Sequence, residues 1–202
     1  MGKLRVIFDV HCKVKEYKQL IDGIDFPSLQ LGDFGFAEEH NWHMANVDPA
    51  KHKVLLGNHD DTRFVHAPHS IGHYGEFQGV FCVRGAFTPD AWRRQLGVDL
   101  FADEQLDYGQ QIDAYDAYVK AKPKIVVTHD CPLFVRQGIV HYIDHSTTPK
   151  FLQHLYDAHK PEIWIFGHYH RHIDEVVTRE DGTQTRFICG PELHHIDIET
   201  DI

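Results

Sequence analysis

Five apolar runs, each closed by a short polar cluster, set the strongest constraint on how this chain can fold. Residues 4–8 lead into Asp9-Val-His11, 28–31 into Gly32-Asp33, and 53–56 into Gly57-Asn58-His59-Asp60. Further on, 124–127 lead into Thr128-His129, and 162–166 into Gly167-His168-Tyr-His170. Short apolar stretches bounded by glycine or turn residues predict buried strands. If each strand ends in a carboxylate, a carboxamide or an imidazole, those groups gather along one sheet edge, where open α/β sheets bind ligands. Two carboxylates, one amide and several imidazoles together make a donor set suited to divalent metals.

The rest of the pattern frames those strands. Strand 3–8, helix 14–22, strand 28–31, a helix or loop over 37–46 and strand 53–56 alternate as a parallel βαβ arrangement does. Residues 61–100 are rich in turn residues, with one strand predicted over 80–83. A helix is expected over 103–120, where Tyr108, Ile112, Tyr115 and Val119 recur at i, i+4, i+7 and i+11; we read that stripe as its core face. Thr148 and Pro149 predict the N-cap and first position of a helix over 149–159. Asp181-Gly182 between 176–179 and 185–188 is a hairpin signal. With a further strand over 193–198, the expectation is one α/β domain spanning 1–202, with a mixed sheet or two facing sheets.

Composition narrows the partners. A formal net charge of −10 lacks the basic excess of a general nucleic-acid binder. No stretch reaches the roughly 20 apolar residues of a membrane span. The start of the chain runs into a strand without a signal-peptide core, so a cytoplasmic protein is expected. Four cysteines without a CxxC pair predict thiols rather than a disulfide framework. Of the eighteen histidines the metal-type site needs only five, counting His59; the others are expected at the surface or satisfied in the core.

Taken in order, the clusters read DxH, GD, GNH(D/E), H and GHxH. That series resembles the calcineurin-like metallophosphoesterase superfamily, and it spans residues 9 to 170 in family order. The resemblance implies a four-layer α/β/β/α sandwich around two divalent metals. Asp9, His11 and His170 would hold the first ion and Asn58, His129 and His168 the second, with Asp33 bridging. His59 would bind no metal and would protonate the leaving oxygen, with Asp60 orienting or tuning it. A bound pair of ions supplies a hydroxide near neutral pH for in-line attack on phosphorus. Arg63 and Arg84, with Arg136 behind them, are the candidates to meet charge on the phosphoryl oxygens. The expected activity is therefore a phosphodiesterase on a small phosphate ester or nucleotide-like substrate. A phosphomonoesterase or protein phosphatase is the alternative, and a non-catalytic metal-binding scaffold the third reading. Manganese is expected, with iron, zinc, nickel or magnesium also compatible with mixed N/O donors.

Two departures from the family pattern matter. Cys12 stands where DxHG has glycine. The stretch Asp33-Phe-Gly-Phe-Ala37 lacks the acid and arginine that the Ser/Thr protein phosphatases carry after their Gly-Asp. Chain length, Val83-Arg-Gly-Ala86 and Trp92-Arg-Arg94 are instead similar to small bacterial or phage members.

Overall fold

The computed structural model describes residues 2–35, 44, 46–142 and 145–201. The helix or loop expected over 37–46 lies outside that set, except for residues 44 and 46. Two mixed sheets face each other. The first holds β1 (Gly2–Ile7), β2 (Ser28–Gln30), β3 (His52–Val54) and β10 (His195–Thr200) in the order β10-β1-β2-β3. Its first three strands are parallel, and β10 runs antiparallel to β1. The second holds β4 (Tyr74–Phe77), β5 (Val80–Val83), β6 (Ile125–Thr128), β7 (Ile163–Phe166), β8 (Ile173–Thr178) and β9 (Gln184–Cys189), ordered β4-β5-β6-β7-β9-β8. Strands β5, β6, β7 and β9 are parallel, while β4 and β8 are antiparallel edges.

Alternation along β1 shows how the layers arise. Leu4, Val6 and Phe8 point between the sheets, packing with Leu29, Leu31 and Leu55 against Val80, Cys82, Val127 and Ile165. Ile7 points the other way and joins Val14, Tyr17 and Ile21 of α1 (Val14–Ile21) in a second core, on the outer face of the first sheet. A third core lies outside the second sheet. There Trp164, Phe166 and Phe187 meet the helices α2 (Tyr108–Ala121), α3 (Leu133–Ile139) and α4 (Thr148–Ala158). The result is the α/β/β/α sandwich expected from the sequence.

Helix α2 departs from expectation at its start and in its buried face. It begins at Tyr108 rather than at residue 103, because Asp107 caps it. The Asp107 carboxylate accepts from the Gln110 N–H (2.9 Å), and the Gln110 side chain accepts from the Asp107 N–H (3.1 Å). The stripe read as core is outside: Tyr108 is 78% exposed, and Ile112, Tyr115 and Val119 are exposed too. The buried residues are Ala114 and Tyr118. Tyr118 packs edge-on against Phe81 (5.3 Å), and its hydroxyl donates to the His159 carbonyl (2.7 Å). Rolling the helix to bury the stripe would break that bond and leave the half-buried His159 carbonyl without this partner.

This arrangement has a direct test by denaturant unfolding. Tyr118→Ala should cost about 3–5 kcal/mol, whereas Tyr108→Ser should change stability by less than about 0.5 kcal/mol. Similar losses for both would place the stripe back in the core.

Candidate metal centre

The ends of β1, β2 and β3 in one sheet, and of β6 and β7 in the other, bring the polar clusters together. Two groups of possible ligands form: Asp9, His11 and His170, and Asp33, His129 and His168. Within each, the ligand atoms lie within 4.8 Å of one another. Asp33 joins them. Its Oδ1 is 3.2 Å from His129 Nε2, and its Oδ2 is 3.9 Å from His11 Nε2, so one oxygen faces each group. Asn58 Oδ1 completes the second group, 3.2 Å from His129 Nε2.

The donors fit divalent cations for a reason visible in their polarity. His129 Nδ1 lies 3.1 Å from the Leu31 carbonyl, which can only accept. That fixes the proton on Nδ1 and turns the Nε2 lone pair inward. Nε2 then faces two further acceptors, Asp33 Oδ1 and Asn58 Oδ1, and only a proton or a cation can sit between them. In the first group His11 Nε2 and His170 Nε2 approach to 2.9 Å, with Asp9 Oδ1 3.4 Å from the latter.

Charge shifts follow the same crowding. Burial would raise the Asp33 carboxyl, but His129, then His59 and His11, hold it well below the usual range. Burial disfavours a charged His129, yet Asp33, Asp9 and Asp60 push its affinity for a proton up. His170 is raised chiefly by its hydrogen bond to Asp9, while burial lowers His11 and His168.

Backbone strain concentrates here. His11, Cys12, Asp33, His168 and His170 all have positive φ, between 47° and 67°. Non-glycine residues held this way cost on the order of 1 kcal/mol each. Cys12 adopts φ 64°, a conformation that glycine takes without penalty. Its Sγ lies 2.4 Å from where a Cβ on Gly35 would be, so cysteine here requires glycine there.

Backbone donors from one cluster hold the carboxylates of another. The His168 N–H donates to Asp9 (3.1 Å) and the His59 N–H to Asp33 Oδ1 (3.0 Å). Asp60 takes a different place from the one expected. Its two oxygens accept from the Gly35 and Gly57 N–H groups, at 2.6 Å each, so its carboxylate braces backbone beside the site. His59 is half-buried, with its ring 5.9 Å from that of His11 and Nδ1 3.5 Å from the Asp99 carbonyl.

The expectation for Arg84 needs correction. Arg84 is 1% exposed, and its guanidinium donates to His73 Nδ1 (3.0 Å) and to the Asp103 and Glu104 carbonyls (3.0 and 3.3 Å). A group enclosed this way props a loop and cannot meet a substrate oxygen. Arg63 engages Asp61 (Nε to Oδ2, 2.9 Å), which also accepts from the Arg63 N–H (3.0 Å). Arg136 is buried in α3 with its guanidinium over the Tyr142 ring.

Other residues serve the site without a sequence signal. Asn58 Nδ2 donates to Thr88 Oγ1 (3.0 Å), and the Thr88 hydroxyl donates to Glu104 (2.6 Å). Between the two histidines of the last cluster, the Tyr169 hydroxyl donates to Asp130 (2.5 Å) and ties that turn to the end of β6.

No family model and no curated protein matches the sequence. Solved structures do. A 5'-nucleotidase precursor from Thermus thermophilus superposes with a TM-score of 0.54 at 12% identity, over 99% of this chain and 51% of that one. A dimetal phosphatase from Danio rerio gives 0.52 at 13% identity, over 94% of this chain and 87% of that one. The phosphopantetheinyl hydrolase of Mycobacterium tuberculosis gives 0.50 at 14% identity, over 95% and 90%. This chain therefore spans about half the length of the Thermus protein and most of the other two. At these identities the likeness establishes architecture: the chain has the calcineurin-like metallophosphoesterase fold. No helix among the described residues is long and apolar enough to cross a membrane.

Gly57 offers a test of the centre's tightness. A Cβ there would lie 2.2 Å from Asp33 Oδ1 and 2.6 Å from His129 Nε2. Gly57→Ala should therefore weaken manganese binding by about 10–100-fold in a calorimetric titration; unchanged binding would mean that the ligands do not converge as described.

Proposed function

We propose that this protein is a two-cation phosphoesterase, and that its preferred substrates are phosphodiesters of small or nucleotide-like alcohols. The observation that carries the reading is the Asp33 carboxylate, with one oxygen toward each ligand group and its Oδ1 also held by the His59 N–H. Manganese is the first choice of ion for these mixed N/O donors. A bound pair would polarise a phosphoryl oxygen and supply hydroxide near neutral pH. The chain's own part is to hold the ester in line and deliver a proton. His59 belongs to neither ligand group, and its half-buried ring lies 5.9 Å from that of His11, so it can protonate the departing alkoxide, worth on the order of 10²–10⁴ in rate.

Two features support the substrate class. A monoester dianion brings one more negative charge than a diester, yet the Arg84 guanidinium is enclosed and committed to backbone carbonyls, and the charge of Arg63 is already paired with Asp61. A diester asks less of the protein. On the His59 side, the segment bearing Asp99 also exposes Leu96, Val98 and a 77% exposed Trp92, with Arg93 stacked 4.3 Å from the Trp92 ring centroid. An indole backed by a guanidinium leaves one face for a planar leaving group such as a base. We assign the enzyme to the cytoplasm, a reading supported by four cysteines with no disulfide among the described residues.

Purified protein with Mn²⁺ should hydrolyse bis(nitrophenyl) phosphate faster than nitrophenyl phosphate. Chelation, or Asp33→Asn, should abolish the turnover. Absence of chelator-sensitive hydrolysis across several metals would defeat the proposal, and a strong monoester preference would defeat its diester part.

The role of His59 separates by leaving group. His59→Ala should lower kcat on an alkyl ester by about 10²–10⁴, and much less on a nitrophenyl ester, whose leaving group needs little protonation. Equal losses on both would make His59 a positioning residue.

A further inference from the structure

Asn58 can serve the second cation only if its amide oxygen, not its nitrogen, faces the ligands. The two ends of an amide are nearly the same shape, so something else must choose between them. We infer that Thr88 and Glu104 make that choice, as positioning residues whose hydrogen-bond polarity locks the Asn58 oxygen toward the cation pair. This inference rests on the two-cation reading above and extends it to residues outside the ligand set.

The polarity can be followed atom by atom from the buried end. The Glu104 carboxylate is acceptor-only when ionised, and it accepts twice from Thr88: from the backbone N–H (2.8 Å, Oε1) and from the hydroxyl (2.6 Å, Oε2). With its one proton committed to Glu104, Thr88 Oγ1 has only lone pairs to offer Asn58. Those pairs take the Asn58 Nδ2–H at 3.0 Å. Flipping the amide would set Oδ1 against Oγ1, two acceptors with no proton between them, and would turn an N–H toward His129 and Asp33. Asn58 and Thr88 are fully buried and Glu104 nearly so, so an unmade bond here bears the full desolvation cost of its groups.

The fold holds Glu104 in place from three sides. The Arg84 guanidinium donates to the Asp103 and Glu104 carbonyls. Gly85, at φ +93°, lets the Glu104 carbonyl come within 2.5 Å of where a side-chain Cβ would stand. Gln105 Oε1 accepts from the Thr147 and Thr148 N–H groups (2.8 and 3.1 Å) at the start of α4. The residues around Arg84, expected to grip substrate, thus set the register of a carboxylate that orients a ligand.

Glu104→Gln is the discriminating variant because it keeps shape and changes polarity. The Gln oxygen would stay on the Thr88 N–H, and its NH₂ would donate to Thr88 Oγ1. The Thr88 hydroxyl proton would then be released to bond a flipped Asn58 oxygen. In calorimetric Mn²⁺ titrations of the full chain stripped of metal, wild type should bind two ions. Glu104→Gln should keep the first within about twofold and weaken the second by about 10–100-fold, with an unchanged melting temperature. The electron paramagnetic resonance signal of a coupled manganese pair should give way to that of isolated ions. Thr88→Val should also weaken the second ion selectively, but with a lowered melting temperature because the Asn58 amide and Glu104 both lose a buried partner, and Thr88→Ser, which keeps the hydroxyl, should restore the second ion. Adding Glu104→Gln to Asn58→Ala should cause no further loss, since the effect runs through Asn58. Wild-type-like binding in Glu104→Gln, equal weakening of both ions with a lowered melting temperature, or additive losses in the double variant would each overturn the inference alone. A wild-type protein that binds no ion, or whose binding is indifferent to Asp33→Asn, would overturn the two-cation reading together with it.

Discussion

Asp33 is the constraint on which the arrangement turns. It is buried between the sheets at the end of β2, one oxygen on the His129 side and the other toward His11. A carboxylate so placed is expensive unless positive charge answers it. In the protein alone the imidazolium character of His129 and the His59 backbone N–H supply that charge. A pair of cations would supply it better, since Asn58 Oδ1 and Asp9 bring further acceptors to the same place. The site is therefore an electrostatic demand that the sandwich creates and a bound dication would satisfy.

Meeting that demand requires backbone in conformations the chain would otherwise avoid. Five site residues sit in the left-handed region, two of them adjacent at His11-Cys12. Such strain persists only where surrounding contacts fix it. Here the fixing contacts are β1–β2 pairing, which brings the Val10, His11 and Cys12 N–H groups onto the Asp33 and Phe34 carbonyls, and the Tyr169 tie to Asp130. The apolar layer between the sheets, from Leu4 to Ile188, keeps those loops from relaxing apart. Packing energy from the core is what holds the clustered acids and imidazoles in place.

What the sequence made legible follows from this physics. Strand ends are readable because a buried strand must be apolar and must stop at a turn, so the five clusters announced both sheet edges and the polar side chains that gather on them. The buried face of α2 was not readable. Period 3.6 shows that a face exists, but Tyr118 and Ala114 win burial through a hydrogen bond to His159 and a fit to Phe81, partners distant along the chain. Arg84 misled for a related reason: a guanidinium near a phosphate-type site suggests an anion, whereas its neighbours here are backbone carbonyls delivered by a distant loop. Thr88 and Glu104 belong to no motif. Their importance lies in the direction of protons, which only the folded geometry defines.

The ligand clusters are also less independent than their separate positions in the chain suggest. The carboxylate of the first, Asp9, is held by the backbone of the last at His168; Asp33 of the second is held by the third at His59; Asp60 of the third reaches back to Gly35 beside the second. Three of the five loops thus supply an N–H to an acid carried by another. A shift in one of these turns moves a carboxylate carried by another, so their positions are coupled. That mutual bracing explains why Asp60, which lies next to His59 in the chain, aims its carboxylate at backbone. Its burial between two loops lets it brace the backbone next to Asp33 and Asn58.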